Sequence, residues 1–146
     1  MQTFLPYAGF RQSALVLDHR RLGKQRVEVK QILNALRGQS KGWTKHPAVL
    51  MWRGYETALS LYGVEICHAW RDLGYKDSLL PEFLDSYLSG SPLEYPLWLG
   101  DARLHLSHQS NLIRKDSVYY RPLFGELVPD DLPYYWAAPL GGKDED

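Results

Sequence analysis

The stretch DHRRLGKQRVEVKQILNALRG, residues 18–38, decides the fold because it carries the clearest helical pattern in the chain. Asp18 is a residue type that caps the first turn of a helix, and Gly38 is a natural stop after the last turn. We therefore predict a helix over residues 19–37. Its apolar residues recur at the three- and four-residue spacing of one helix face, at Leu22, Val29, Ile32, Leu33 and Leu36.

The chain before this helix predicts an arm and a short turn. Residues 1–12 contain Pro6 and Gly9, which favour an extended arm. The segment SALVLD, residues 13–18, predicts a short helical turn with Ser13 as its cap.

A second long helix is predicted over residues 47–73. Pro47 suits its first turn, and Gly74 follows its last residue. Gly54 and Gly63 lie inside this stretch and indicate either close helix packing or a kink.

The rest of the chain predicts shorter elements around a third main helix, without repeats or a strand pair. We predict a loop over residues 75–80, a short helix over 81–88 and an irregular segment over 90–101. The third main helix is predicted over residues 102–115, and an aromatic, basic segment follows over 117–125. The predicted fold class is all-α: a single compact domain of about three main helices with long loops. We assign residues 1–125 to this domain, and residues 126–146 to an acidic, Pro-rich extension whose end is expected to be disordered.

The composition sets broad limits on the kind of protein. The 146 residues suffice for one hydrophobic core, and 45% apolar and 23% charged residues are typical of a globular chain. The single cysteine, Cys67, excludes an intramolecular disulfide and is expected to be a buried structural thiol. We expect no metal site, because His105 and His108 lack further ligands at zinc spacing. Without a signal segment or a bilayer-spanning apolar run, the predicted location is cytoplasmic and no membrane contact is expected.

A net charge of zero hides an uneven distribution of charge along the chain. Residues 1–60 carry ten Lys and Arg against three acidic residues, whereas residues 61–146 carry seven against fourteen. A polyanion such as nucleic acid would bind the first part, because phosphate neutralisation drives such binding. Charge alone leaves a solvated helix face equally open.

One carboxylate lies among these cations. On the predicted helix Glu28 shares a face with Lys24, and Arg21 lies one turn below Lys24. Neighbouring cations favour an ionised carboxylate and burial favours the protonated form, so such a group can move protons. By spacing alone, an ordinary surface ion pair is the favoured explanation of the pattern.

Two further features are compatible with binding to nucleic acid or chemistry on it. The α-amino group at the chain start is a weaker base than a lysine side chain, so more of it is a neutral nucleophile at physiological pH. Cations interleaved with aromatic rings at residues 114–115 and 119–121 suit phosphates and stacked bases, although on this pattern alone core tyrosines beside solvated cations are favoured. His46, just before Pro47, either caps a helix or touches a phosphate.

The order of these features resembles the pyrimidine-dimer DNA glycosylase/AP lyase family of the phage endonuclease V type, over roughly residues 1–125. In that family a short N-terminal arm precedes a helix reading His-Leu-x-x-x-x-Arg-Glu-Leu; here the stretch reads RLGKQRVEV, residues 21–29. The family's catalytic glutamate falls on Glu28, and its preceding arginine falls on Val27, beside Arg26. The central helix resembles residues 46–75, and the third helix and C-terminal aromatic segment resemble residues 107–121.

The chain start departs from the family pattern. The family's nucleophile is the amine of a threonine exposed by removal of the initiator methionine, but residue 2 here is Gln. The resemblance therefore implies the amine of Met1, or of Gln2 after trimming, while Thr3 would become terminal after unusual processing. Lys24, on the face of Glu28, is a further amine in reserve.

The resemblance implies a cofactor-free repair enzyme that acts as a monomer on double-stranded DNA with a damaged base or an abasic site. Its amine attacks sugar C1′, the base leaves, and β-elimination from the Schiff base cuts the strand. Two alternatives stay open: a glycosylase for a different damaged base, and a noncatalytic helical module that binds nucleic acid or an acidic protein. The residues expected to contact DNA are Arg20, Arg21, Lys24, Arg26, His46, Arg114, Lys115, Tyr119, Tyr120 and Arg121.

Overall fold

A computed structural model describes residues 1–42 and 44–137 of the chain. Within these residues every regular element is a helix, which confirms the predicted all-α class. None of these helices combines the length and apolar character needed to cross a lipid bilayer. In chain order the helices are α1 (Phe10–Val16), α2 (His19–Leu36), α3 (Pro47–Leu50), α4 (Glu56–Asp72), α5 (Leu80–Ser89), α6 (Ala102–Lys115) and α7 (Ser117–Phe124).

Helix α2 follows its local sequence signals closely. The Asp18 carboxylate accepts a hydrogen bond from the backbone N–H of Arg21, as a helix cap should. Gly38 adopts a φ of 73°, a left-handed conformation that ends the helix. The predicted apolar face of α2 is buried, with Leu22, Val29 and Ile32 at most 1% exposed.

The single helix predicted over residues 47–73 is wrong, because the chain forms two helices there. Helix α3 ends at Leu50, and Gly54 adopts a φ of 85° before α4 begins. Gly63 instead allows close packing: a Cβ added there would lie 2.7 Å from the ring of Phe83 on α5. The His46 imidazole caps α3, since its Nδ1 accepts from the backbone N–H of Ala48 at 3.0 Å.

Two smaller predictions also need correction. Ser13 does not cap a helix, because α1 begins three residues earlier, at Phe10. The Ser13 hydroxyl is buried and donates to the carbonyl of Tyr7 at 2.9 Å. The aromatic, basic segment is helical as α7, although Pro122 lies inside it. Asp116 opens this helix by accepting from the N–H of Tyr119 at 3.1 Å.

The core lies where α4 packs against α1, α2 and α5. Trp52, Tyr62 and Cys67 are fully buried in it, which confirms Cys67 as a structural thiol. Burial and the neighbouring Asp77 carboxylate raise the pKa of Cys67 to about 12. A thiol of this kind is a poor nucleophile at neutral pH.

Residues 130–135 lie along α6. The backbone N–H groups of Leu132 and Tyr135 donate to the hydroxyls of Ser110 and Ser107, each at 3.0 Å. Arg114 donates to the Asp130 carbonyl at 2.6 Å. This part of the predicted extension thus packs against the helical domain, while its predicted disordered end lies outside the described residues.

Candidate active site

The N-terminal arm, residues 1–7, is extended and is held by side chains. Gln25 on α2 bonds it twice: its Nε2 donates to the Gln2 carbonyl at 2.8 Å, and its Oε1 accepts from the Phe4 N–H at 2.9 Å. The Tyr62 hydroxyl donates to the Phe4 carbonyl at 2.7 Å. Trp52 donates to the Thr3 hydroxyl at 3.0 Å. These bonds fix the start of the chain against α2, α4 and the segment before α4.

Helix α6 holds the middle of the arm through two histidines. His108 Nδ1 accepts from the N–H of Leu5, and His105 Nδ1 donates to the carbonyl of the same residue, both at 2.8 Å. His105 Nε2 accepts from the Gly100 N–H at 2.9 Å, which fixes the His105 tautomer. Complete burial, with a smaller contribution from the neighbouring His105, lowers the pKa of His108 to about 3, so His108 is neutral at physiological pH.

A cavity of about 410 Å³ opens between the arm, α2 and α6. It gathers cations from α2 and α6 around one carboxylate, together with aromatic rings from the arm and the C-terminal segment. Its described lining consists of Met1, Gln2, Phe4, Arg20, Arg21, Lys24, Gln25, Glu28, Lys115 and Tyr134. All three residues predicted from the sequence to be catalytic line this cavity, with four of those predicted to bind DNA.

Glu28 is the carboxylate of the cavity and is only 8% exposed. Burial raises its pKa above the ordinary glutamate value, against the opposing charges of the chain's α-amino group and Lys24. It accepts hydrogen bonds from the backbone N–H of Gln2 and from Gln25 Nε2, the latter at 2.6 Å. A carboxylate with a raised pKa beside an amine is suited to exchange protons with it.

His46 lies near the same end of the chain. Burial and the charge of the α-amino group lower the pKa of His46, so its ring is biased towards the neutral form. Its ring meets that of Trp136 edge to face at 6.2 Å. Beyond capping α3, His46 therefore belongs to the surroundings of the N-terminal amine.

Other predicted DNA-contacting residues have protein partners away from the cavity lining. Arg26 pairs with Asp77 at 2.6 Å. Arg114 bonds the C-terminal segment, and Arg121 bonds the Val128 carbonyl. Their guanidinium groups stabilise the fold.

The two tyrosines of α7 differ in their surroundings. The buried Tyr120 donates its hydroxyl proton to the Asp18 carboxylate and accepts from the Asp18 N–H at 2.8 Å. This bond ties α7 to the start of α2. Tyr119 is 41% exposed and remains open to a partner.

Three cavity residues were missed by the sequence reasoning. Gln25 had a detectable signal, because it lies three positions before Glu28 and so shares its helix face. Phe4 and Tyr134 had none, since their positions depend on how the two ends of the chain fold onto α6. Tyr134 packs near Phe4, with ring centroids 6.4 Å apart.

A helical domain whose cationic cavity holds a buried carboxylate of raised pKa is a suitable framework for an enzyme that acts on nucleic acid. Residues 1–81 match the family model described as pyrimidine dimer DNA glycosylase. The match covers more than half of the chain, so the chain belongs to this family of DNA-repair glycosylases. Comparison with curated proteins and with solved structures gave no match.

Proposed function

We propose that the protein is a DNA glycosylase with AP lyase activity that acts on duplex DNA carrying ultraviolet pyrimidine dimers. The observation that supports this proposal best is that the chain's α-amino group and the buried Glu28 interact within one cavity. The side chains that hold the arm keep the amine in place. Pre-positioning of this kind removes much of the entropic cost of bringing reactants together.

The reaction begins when the neutral amine attacks C1′ of the damaged nucleotide and the glycosidic bond breaks, so that the base leaves with the bonding electrons. Opening of the sugar ring then gives a protonated Schiff base. This cation acidifies the C2′ proton, and its removal expels the phosphate on the 3′ side. Glu28 accepts and returns protons and stabilises the cationic intermediate.

The α-amine of Met1 is the nucleophile in this proposal. The backbone nitrogen of Gln2 is an amide that donates to Glu28, and Met1 itself lines the cavity. Trimming of Met1 would expose the Gln2 amine at the position of that amide. Lys24 also lines the cavity, and its side-chain amine is the alternative nucleophile.

DNA is held by the cations around the cavity opening. Arg20 and Lys115 are exposed and line the cavity, so they can reach phosphates beside a bound lesion. Tyr134 offers a ring to the damaged base. All the residues of the proposed site come from one chain, so we propose that a single copy acts on the duplex.

Borohydride reduction tests the Schiff base. With duplexes that carry a dimer or an abasic site, we expect a covalent protein–DNA adduct that peptide mass spectrometry locates on the Met1 amine. An adduct on Gln2 or Lys24 would assign the nucleophile to that residue and would still support the Schiff-base reaction. Salt-sensitive binding without any adduct would contradict the proposal and leave a binding protein.

A panel of other damaged bases tests the lesion assignment, because a dimer-specific enzyme should leave those duplexes uncut.

Glu28→Gln tests the proton-transfer role. We expect strand cleavage to slow by about 10²-fold or more under single-turnover conditions, which is typical for loss of a general base. The thermal stability of the variant at pH 8 should equal or exceed that of the unsubstituted protein, because burial disfavours the Glu28 charge. Unchanged cleavage would remove Glu28 from the mechanism. As a control on the same helix, Lys30→Ala should keep full activity, since Lys30 pairs with Glu82 on α5 at 3.1 Å.

A further inference from the structure

The side-chain amide of Gln25 lies between the N-terminal arm and the Glu28 carboxylate, and Gln25 is only 1% exposed. One hydrogen of its Nε2 is donated to the Gln2 carbonyl at 2.8 Å and the other to Glu28 Oε2 at 2.6 Å. Its Oε1 accepts from the Phe4 N–H at 2.9 Å and lies 2.8 Å from the Tyr62 hydroxyl, whose single proton is shared with the Phe4 carbonyl. One buried group therefore joins the arm to the carboxylate.

Two backbone groups of the arm fix the orientation of this amide. The Phe4 N–H can only donate and the Gln2 carbonyl can only accept, so Oε1 of Gln25 must face the first and Nε2 the second. Turning the amide over would set donor against donor and acceptor against acceptor in a buried place, which is costly. The arm thereby dictates that Gln25 presents a donor to Glu28.

The bond from Gln25 also decides which oxygen of Glu28 can take a proton. An amide nitrogen only donates, so Glu28 Oε2 stays an acceptor as long as this bond is made. A proton taken up by Glu28 is then directed to Oε1. All four hydrogen-bonding positions of the Gln25 amide are used within the protein, so its contribution to a reaction runs through Glu28 and the arm rather than through a bond to DNA.

The charges around Glu28 come from several elements. Burial raises its pKa, and the charges of the α-amino group on the arm and of Lys24 on α2 oppose this effect, as do the bonds from the Gln2 N–H and from Gln25. Two hydroxyls also interact with Glu28, those of Tyr62 on α4 and Tyr134 in the C-terminal segment. Burial raises the pKa of both tyrosines, so they are neutral at physiological pH. The remaining charged groups of the cavity lining are Arg20, Arg21 and Lys115.

We propose that Gln25 is a positioning residue of the active site, which sets the Glu28 carboxylate relative to the N-terminal amine and directs proton exchange to Glu28 Oε1. This inference rests on the function proposed above. The same amide nitrogen holds the Gln2 carbonyl, in the residue that follows the amine. Loss of this nitrogen would leave the nucleophile and the carboxylate without a common support.

Carboxyl ¹³C NMR of the protein without DNA tests the link to Glu28, whose signal is assigned by its loss in Glu28→Gln. Gln25→Met keeps the side-chain length but removes the bond, so the pKa of Glu28 should rise. Gln25→Glu keeps the acceptor for the Phe4 N–H but sets a second carboxylate against Glu28, so the pair should hold a proton to higher pH. This second variant also serves if Gln25→Met folds poorly. Tyr62→Phe is the matched control, because it removes a bond that holds the arm, keeps the bond between Gln25 and Glu28, and should leave the Glu28 pKa unchanged.

A double-mutant cycle tests whether Gln25 acts through Glu28. We expect Gln25→Met to slow single-turnover cleavage of lesion duplex by about 10²-fold, as misplacement of a reacting group can, with no change in affinity for that duplex. Independent effects of Gln25→Met and Glu28→Gln would multiply to about 10⁴-fold. A shared effect should instead keep the double variant near the loss of about 10²-fold expected for Glu28→Gln alone.

The borohydride adduct of the unsubstituted protein separates this inference from the proposed function. If the unsubstituted protein forms no adduct, the lyase function fails and the positioning role fails with it. If the adduct forms, an unchanged Glu28 pKa in both Gln25 variants, or losses that multiply in the cycle, would overturn the positioning role alone.

Discussion

At the scale of single residues, His105 and His108 show how far a side chain's role can lie beyond its local sequence. Their sequence neighbourhood offered no further metal ligands and therefore no role for them, whereas both rings bond the backbone of Leu5, about a hundred positions away. The cationic surroundings of Glu28 were predictable, because Lys24 lies one turn away on the same helix. The surroundings of a side chain were predictable where its partners are local, and not where they come from distant parts of the chain.

The buried His108 should make stability depend on pH. Its folded pKa of about 3 lies below the ordinary histidine value, so between these limits the unfolded state binds a proton that the folded state does not. Stability should therefore fall as the pH drops below about 6.5, by about 1.4 kcal/mol per unit from this group. His108→Asn, which keeps an acceptor near Leu5, should flatten this dependence in denaturant titrations from pH 7 to pH 4. An equally steep dependence in the variant would contradict this role.

At the scale of elements, α2 and α6 were predicted almost to the residue because their caps and stops are local. The residue types of Asp18, Gly38 and Asp101 mark these ends directly. The break before α4 was not predictable, because a glycine that reverses the chain and one that allows close packing look the same in sequence. Gly54 does the first and Gly63 the second. Only their tertiary surroundings distinguish them.

Gly63→Ala should destabilise the protein even though alanine favours helix. The new methyl group would lie 2.7 Å from Phe83 and 3.0 Å from Val29, both fully buried, so the α4–α5 and α2–α4 contacts must shift. We expect a net loss of about 1–3 kcal/mol, as is typical for an overpacked core. Gly42→Ala is the control, since a Cβ there meets nothing within 4 Å. Chemical denaturation that ranks the two variants equally would argue against this packing.

At the scale of the whole molecule, the cations fall into two groups, those that line the cavity and those that bond other parts of the protein. Arg20, Lys24 and Lys115 line the cavity, whereas Arg26, Arg114 and Arg121 bond the protein itself. Counting charges along the sequence could not separate these two groups. The part of the cavity wall formed by Phe4 and Tyr134 was also beyond prediction, because distant parts of the described chain meet there around His108 on α6.

The difference between cavity-lining cations and cations paired within the protein predicts the salt dependence of DNA binding. Lys24→Ala should reduce the slope of log affinity against log salt by about 0.9, the value expected for one lost phosphate contact. Lys30→Ala, on the far side of α2 and paired with Glu82, should leave the slope unchanged. Binding isotherms from 50 to 300 mM salt measure both slopes. Equal slopes for the two variants would show that Lys24 does not meet a phosphate.

The way α6 holds the arm has a consequence for biosynthesis. The ribosome makes residues 1–7 before α6, so Leu5 acquires its partners His105 and His108 only after α6 has emerged. Until then a nascent chain carries the proposed nucleophile without the part of the cavity wall that α6 contributes. Completion of the proposed catalytic centre therefore waits for α6, and a chain that stops before α6 would lack the two histidine bonds that hold Leu5.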